Sequence, residues 1–220
     1  MPVTFDPAGR VAVVVSPESR MCPPGWVGVV RLGGSAIVAA PSRTVAAQVE
    51  EAFSGLGVEA LVDAEVIGAH LSVTQALGPA TLSYLGERDF RPAPGDQSVT
   101  ELPAGHSDLR RLEKSAGDAA AGEAGLDEIT SPVFVIRADG EVVAASGYVL
   151  WPRRTAHLSV LTAPGWRGRG LGRAAATHAV AHALRLGLLP QWRARPVQSR
   201  RVAAALGFRE LGAQFSFRPA

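Results

Sequence analysis

Short apolar runs alternate along the chain with clusters of glycine, proline and polar residues, a pattern typical of mixed α/β proteins. Residues 11–15, 26–32, 35–40 and 80–85 are such runs and predict strands. Ser42 or Thr44 can cap an amphipathic helix that ends before Gly55. The first hundred residues therefore predict a small α/β unit, and they contain no evident catalytic group.

Residues 91–98 combine prolines, a glycine and polar side chains, as linkers do. We therefore expect an N-terminal accessory α/β domain at residues 1–98 and a second domain at residues 99–220. Residues 107–114 and 119–126 predict helices at the start of the second domain.

A hairpin is the clearest element of the second domain. Its predicted strands, residues 133–137 and 141–145, flank Asp139-Gly140, and the glycine tolerates the positive φ of a tight turn. The chain continues with a strand at residues 156–162, a helix at residues 174–186, a strand at residues 189–194 and a short helix at residues 199–206. Residues 208–211 and 214–217 predict a last hairpin.

A glycine-rich turn with three arginines lies between the 156–162 strand and the helix that follows it. The turn consists of Arg167, Gly168, Arg169, Gly170, Leu171, Gly172 and Arg173. Free backbone N–H groups at a helix start, close approach at glycine and fixed positive charge together favour phosphate binding. The spacing lacks the third glycine of the dinucleotide fingerprint, and the P-loop lysine is absent because the only lysine is Lys114.

Charge is distributed unevenly along the 220 residues. Residues 151–220 hold twelve arginines and one acid, a formal charge of +11, whereas residues 1–150 carry −9. Such asymmetry indicates a polyanion near the C-terminal half. A phosphorylated cofactor explains it more simply than nucleic acid, since no nucleic-acid motif accompanies the arginines.

Membrane and redox features are lacking in the sequence. No apolar run approaches the length of a membrane span, and residues 1–6 lack the basic and apolar parts of a signal peptide. Cys22 is the only cysteine, so neither an intrachain disulfide nor a cysteine metal cluster is expected. These observations predict a cytoplasmic protein that binds neither membrane nor nucleic acid, and they leave a homodimer open.

Two motifs, in order, resemble those of the GNAT superfamily of N-acetyltransferases. Arg167, Gly170 and Gly172 meet the pattern Arg-x-x-Gly-x-Gly of its pyrophosphate turn. Ser199, followed by Leu206-Gly207-Phe208, resembles a second family segment. The resemblance covers roughly residues 100–220 and implies a mixed, mostly antiparallel sheet flanked by helices.

The resemblance also implies acetyl-CoA as co-substrate. In this superfamily the strand before the turn splays from its neighbour and offers backbone groups to the acyl-bearing arm, which by position makes Val160, Leu161 and Thr162 the contacts here. The turn from Arg167 to Arg173 would hold the pyrophosphate, and Ser199 would lie near the cofactor arm. Polarisation of the thioester carbonyl by a backbone N–H would stabilise the charge that develops when an amine attacks.

The usual proton-transfer residues of the family are missing. Ala203 stands where many members have a tyrosine, Pro196 replaces an asparagine, and Ala156 lies where a glutamate base is often found. His157, Ser199 and Glu128 are the substitute catalytic candidates, His157 because its ordinary pKa suits a general base. No metal site is expected: His178 and His182 are spaced to chelate, but no third ligand is evident.

We therefore expect direct transfer of an acetyl group to a primary amine on a small molecule or a peptide. A CoA-binding regulatory module that has lost catalysis is the alternative, and a nucleic-acid-binding protein is a third hypothesis. Succinyl-CoA or another acyl donor also stays open, because the sequence does not reveal the acyl pocket.

Overall fold

The computed structural model describes residues 9–19, 21–95 and 98–220. Residues 1–6, used above against a signal peptide, and the linker residues Asp96 and Gln97 lie outside the described residues. None of the described helices is long and apolar enough to cross a membrane.

Strands and helices alternate along the described chain. The strands are β1 (Val11–Val15), β2 (Val27–Leu32), β3 (Ser35–Ala40), β4 (Val73–Tyr84), β5 (Val99–Leu102), β6 (Val133–Ala138), β7 (Glu141–Trp151), β8 (Thr155–Thr162), β9 (Leu189–Ala194) and β10 (Arg209–Pro219). The α-helices are α1 (Arg43–Ala52), α2 (Ala64–His70), α3 (Ser107–Ala116), α4 (Asp118–Ala124), α5 (Leu171–Arg185) and α6 (Val197–Ala205).

The chain divides into two compact units, Met1–Leu82 with Glu210–Ala220 and Ser83–Arg209. The expected domain boundary at residues 98 and 99 thus falls inside the second unit. The C-terminal strand belongs with the first unit because Gly212 to Phe217 pair with Leu32 to Val27 of β2.

The first unit has the strand order β1-β3-β2-β10-β4. β1 and β3 are parallel, whereas β2 is antiparallel to both β3 and β10. Its core joins Phe215 and Phe217 of β10 to Val49 and Phe53 of α1 and to Leu61. Ser42 caps α1 by accepting a hydrogen bond from the Val45 N–H, as its side chain predicted.

The second unit has the strand order β9-β8-β7-β6-β5, and all its neighbours are antiparallel except β8 and β9. Alternating side chains divide its core between two faces of the sheet. α5 packs on one face, where Phe134 and Trp192 are buried. α3 packs on the other, where Leu161 is buried. The predicted mixed, mostly antiparallel sheet flanked by helices is thereby confirmed.

The predicted hairpin at Asp139-Gly140 is confirmed, with β7 extending as far as Trp151. The expected hairpin at residues 208–217 is wrong, because β10 runs without a break through Gly212. A Cβ at Gly212 would lie 1.9 Å from the Arg31 carbonyl oxygen. That glycine therefore permits close approach of two strands and does not mark a turn.

Candidate functional site

β8 and β9 begin side by side and then separate. They pair only from Thr155 with Leu189 to His157 with Gln191, although β8 continues to Thr162. The other edge of β8 stays paired with β7 throughout its length. Among the described residues, β8 is therefore not paired with β9 beyond His157, although the strand continues. This is the splay that the family resemblance implies.

The ladder decides which backbone groups face the open edge. The Ala163 N–H donates to the Val143 carbonyl at 2.9 Å, which makes these residues a hydrogen-bonded pair across β8 and β7. In an antiparallel ladder such pairs alternate with non-bonded ones. Val160 and Thr162 therefore turn their N–H and C=O groups away from β7 toward the splay. Leu161 turns its backbone toward β7, and its side chain is buried against α3.

The glycine-rich turn connects this open edge to α5. Gly168 and Gly170 both have φ of +77°, and a Cβ built on either would meet nothing within 4 Å. No side chain caps α5, and no acidic residue lies in its first turn. The N–H groups of Leu171, Gly172 and Arg173 therefore have no acceptor within the helix. They form the partial positive end of its dipole. Open space above uncapped amides suits a phosphate group.

Gly172 has a different role from the other two glycines. A Cβ there would lie 2.9 Å from the Thr162 hydroxyl oxygen and 3.4 Å from a methyl of Val160. The missing side chain thus lets the first turn of α5 lie directly against β8. This contact brings the uncapped amides beside the open edge of the strand.

The three arginines of the turn separate into two groups. Arg169 lies over the Trp166 ring at 4.5 Å, and Arg167 donates to the Thr162 carbonyl at 3.2 Å. Both stay at the turn. Arg173 instead donates to the Ala205 carbonyl at the end of α6, at 2.8 Å, and its buried Nε has no hydrogen-bond partner in the described structure. Arg173 thus joins α5 to α6.

His157 lies at the last paired position before the splay and is 8% exposed. Its Nδ1 hydrogen-bonds Oε1 of Gln191, its partner across β8 and β9. The Trp151 ring stacks on the imidazole at 4.2 Å with an interplanar angle of 15°. Burial and the nearby Arg193 charge lower the pKa of His157 to about 4, with the Gln191 hydrogen bond opposing them. The ring is therefore neutral at pH 7.

Ser199 lies in the first turn of α6, where its Oγ accepts a hydrogen bond from the Trp192 indole N–H at 2.9 Å. This contact leaves the hydroxyl proton of Ser199 to be donated elsewhere. Ala203, in the position of the family's tyrosine, is 2% exposed and packs in the core between α5 and the sheet. A tyrosine would not fit there without displacing that core.

Glu128 is exposed in a short 3₁₀ helix, Leu126–Glu128, before β6. Its charge acts on Arg193, which lies near His157. Burial lowers the pKa of Arg193, whereas the charges of Glu123 and Glu128 raise it. Glu128 therefore acts on Arg193, and Arg193 acts on His157. Ser199, the third candidate, lies apart from them in sequence, on α6.

The two histidines of α5, His178 and His182, have packing contacts. His182 Nδ1 lies 2.9 Å from the Tyr148 hydroxyl, and Phe134 contacts the rings of both His178 and His182. In the described part of the chain, no group of three or more potential ligands could hold a metal ion.

Sequence reasoning missed the side chains that surround the candidate residues. Gln191, Arg193 and Trp151 around His157, and Trp192 beside Ser199, received no chemical role. One signal was available, because Gln191 and Arg193 are polar residues at alternating positions of an otherwise apolar strand. Such spacing places both on the face opposite Trp192.

Comparison with known proteins agrees with this geometry. Residues 133–213 match the model of a family described as GNAT acetyltransferase. A GNAT-family protein from Novosphingobium aromaticivorans DSM 12444 is similar at 22% identity and a TM-score of 0.52, over 66% of this chain and 65% of that one. A GNAT-family acetyltransferase from Colwellia psychrerythraea is similar at 16% identity and a TM-score of 0.51, over 82% of this chain and 75% of that one.

The chain thus spans just under two thirds of the Novosphingobium protein. A comparison with curated proteins found no match. At these identities the solved structures show the fold alone. The chain therefore has the fold of these GNAT-family structures, and its residues 133–213 are similar to the family described as GNAT acetyltransferase.

Proposed function

We propose that the chain is an N-acetyltransferase that moves an acetyl group from acetyl-CoA directly to a primary amine. The observation that carries this proposal is the continuity of the open β8 edge with the uncapped start of α5. Backbone N–H groups along one path offer partners for a thioester carbonyl, an amide-containing arm and a diphosphate.

The residues present fit such a co-substrate. The amides of Leu171, Gly172 and Arg173 and the side chains of Arg167 and Arg169 would hold the phosphates. Val160 and Thr162 would pair with the extended arm as a missing strand would. Acetyl-CoA supplies an activated acyl group, and the chain's own residues bind it, exclude water and move protons.

His157 is the proposed proton acceptor. Its imidazole is uncharged at neutral pH, so it can take a proton from the neutral amine's nitrogen as the C–N bond forms. The low pKa limits its strength as a base while keeping it in the accepting form over a wide pH range.

Ser199 is the proposed hydrogen-bond donor to the departing thiolate. The Trp192 N–H occupies a lone pair of its Oγ and so favours outward donation of the hydroxyl proton. Thiolates are good leaving groups, so positioning of this kind can replace the stronger acid that Ala203 cannot supply.

The acceptor is proposed to be a cationic amine. Glu128 is exposed, and its charge acts on Arg193, which itself acts on His157, so a carboxylate can attract a cationic amine toward the proposed proton acceptor. The cytoplasmic location expected from the sequence remains a prediction.

A catalytically inactive CoA-binding module is the second candidate function. One observation favours it: Ala203 is sealed in the core where the family resemblance implies a tyrosine. The two functions share the binding site and differ in turnover.

Release of free thiol from acetyl-CoA tests the proposal. The full chain would be assayed with diamines, amino sugars and peptides with free N-termini, and products would be weighed by mass spectrometry. We expect an acetylated amine with at least one class and at least ten-fold slower release in His157→Gln. Acetyl-CoA binding without release for any amine would favour the inactive module.

A further inference from the structure

Polar and aromatic side chains from three strands lie around His157 and its partner Gln191 where β8 and β9 part. Gln191 and Arg193 come from β9, Trp151 from the end of β7 and Tyr84 from the end of β4. Gln191 is 2% exposed, so its amide requires partners within the protein. Its partners are His157 and Tyr84.

The Gln191 amide has one orientation that serves both partners. Its Oε1 lies at Nδ1 of His157. Burial raises the pKa of Tyr84, and the hydrogen bond from Gln191 lowers it in part, as an N–H donor to the phenol oxygen does. Since Oε1 lies at the imidazole, the Nε2 amide group is the part of Gln191 that can donate to the Tyr84 phenol oxygen.

This orientation selects a tautomer of the histidine. A carbonyl oxygen only accepts, so a neutral imidazole opposite it must carry its proton on Nδ1. Nε2 then holds the lone pair. Among the described residues, the buried side-chain atoms without a hydrogen-bond partner are Arg31 Nε and Arg173 Nε, and Nε2 of His157 is not one of them. Nε2 is therefore the ring nitrogen that can accept a proton.

We propose that Gln191, oriented by Tyr84, fixes His157 as its Nδ1–H tautomer and thereby presents Nε2 as the proton acceptor for the amine. The catalytic consequence rests on the function proposed above, whereas the tautomer does not. Gln191 and Tyr84 are positioning residues, and Trp151 fixes the ring plane by stacking.

The charge near the ring favours the neutral imidazole, as burial does. Arg193 from β9 is the charge that acts on His157 and disfavours the imidazolium. Glu123 from α4 and Glu128 act on Arg193, and Glu123 also pairs with Arg195. The neutral ring is thus retained through neutral pH, where its tautomer determines which nitrogen accepts.

The proton and electron pairs balance in the proposed step. The ammonium form of the acceptor first loses one proton to the solvent. An N–H bond of the resulting neutral amine then breaks and an Nε2–H bond forms, while the nitrogen lone pair makes the bond to the acyl carbon. The C–S bond then breaks, the thiolate takes a proton from the solvent or through Ser199, and the imidazolium returns its proton to the solvent.

Nitrogen-15 NMR of the full chain, labelled in its histidine rings, reads the tautomer without any substrate. His157→Gln assigns the signal. We expect the wild-type ring to show Nδ1–H with unprotonated Nε2, and to stay neutral at pH 6. Gln191→Leu and Tyr84→Phe should raise the Nε2–H population several-fold, whereas Gln48→Leu on the exposed face of α1 should change nothing.

Gln191→Glu is a near-isosteric variant, so it tests the position without the loss of packing that Gln191→Leu could cause. A carboxylate opposite Nδ1–H should keep the tautomer and raise the ring pKa by about one unit or more. The acidic limb of kcat for whichever amine turns over should move up by the same amount, with acetyl-CoA affinity unchanged.

A wild-type ring protonated on Nε2, or a ring whose tautomer ignores both Gln191→Leu and Tyr84→Phe, would overturn the proposal. The predicted tautomer in a chain that binds no acetyl-CoA would support the positioning by Gln191 and overturn the proposed function instead. The two failures are therefore distinguishable.

Discussion

The glycine turn and the surroundings of His157 are two halves of one proposed site, and they are built differently. The turn acts through backbone groups that are contiguous in the chain, from Thr162 to Arg173. The surroundings of His157 act through side chains from three strands, and their arrangement depends on the register of β8 with β9. Backbone sites are specified locally, whereas side-chain sites are specified by the fold.

The largest effect should come from a charge placed in the turn. Gly168→Asp adds a carboxylate to open space in the turn, three residues before α5 begins, where it would repel phosphate. We expect acetyl-CoA affinity to fall at least 100-fold, about 3 kcal/mol. Calorimetric titration measures it.

Gly55→Asp is the matched control for that variant. Gly55 has φ of +81° and no atom within 4 Å of a built Cβ, so backbone strain and added charge are alike. Equal loss of affinity in both variants would contradict the assignment of the turn.

A second large effect concerns His157 and stability. Its folded pKa, about 4, lies below its ordinary 6.5, so between these values the unfolded state binds a proton that the native state does not. Stability should therefore fall as pH drops from 6.5 to 4, by about 3 kcal/mol for this group, and level off below pH 4.

Urea unfolding at several pH values, compared between wild type and His157→Gln, isolates this contribution. The variant should have the flatter profile, while His70→Gln, at an exposed position of the first unit, should follow the wild type. Parallel profiles for wild type and His157→Gln would show that the ring is not held neutral.

The packing of α5 on β8 gives a smaller effect. Gly172→Ala places a methyl 2.9 Å from the Thr162 hydroxyl, so we expect about 1–2 kcal/mol of destabilisation from overpacking. Thr162→Ala in the same chain should recover most of it, as a double-mutant cycle by thermal unfolding would show. Additive losses would mean that the two residues do not touch.

The smallest effect should come from Ser199. Ser199→Ala removes the proposed thiolate donor and should lower kcat by roughly ten-fold without changing acetyl-CoA affinity. Trp192→Phe keeps the aromatic packing, removes the N–H and should lower kcat by less. A larger loss in Trp192→Phe than in Ser199→Ala would assign the effect to packing.

The difference between a backbone site, specified locally, and a side-chain site, specified by the fold, also explains what the sequence could predict. The turn and the hairpin at Asp139-Gly140 follow local rules of spacing and conformation, and the structure contains both. The splayed strand was implied by the family resemblance, and the structure contains it too. His157 was identified as a candidate because its own chemistry is visible in the sequence. Gln191 lies 34 residues from it, and only the parallel register of β8 and β9 makes them neighbours.

The features that the sequence did not reveal also have physical causes. The sequence predicts a hairpin from residues 208–211 and 214–217, but Gly212 serves the close approach of β10 to β2. The return of β10 to the first unit is a long-range pairing that no local signal near residue 98 reveals. The burial of Ala203 likewise depends on how α6 packs, which a motif position does not describe.

Titration of acetyl-CoA into the full chain by calorimetry, with desulfo-CoA and ADP as comparators, tests the central claim most directly. We expect micromolar or tighter binding of acetyl-CoA, about −8 kcal/mol, with desulfo-CoA close behind and ADP much weaker. Such a result requires both the turn and the open strand edge. Absence of acetyl-CoA binding, or ADP binding as tightly as acetyl-CoA, would contradict it.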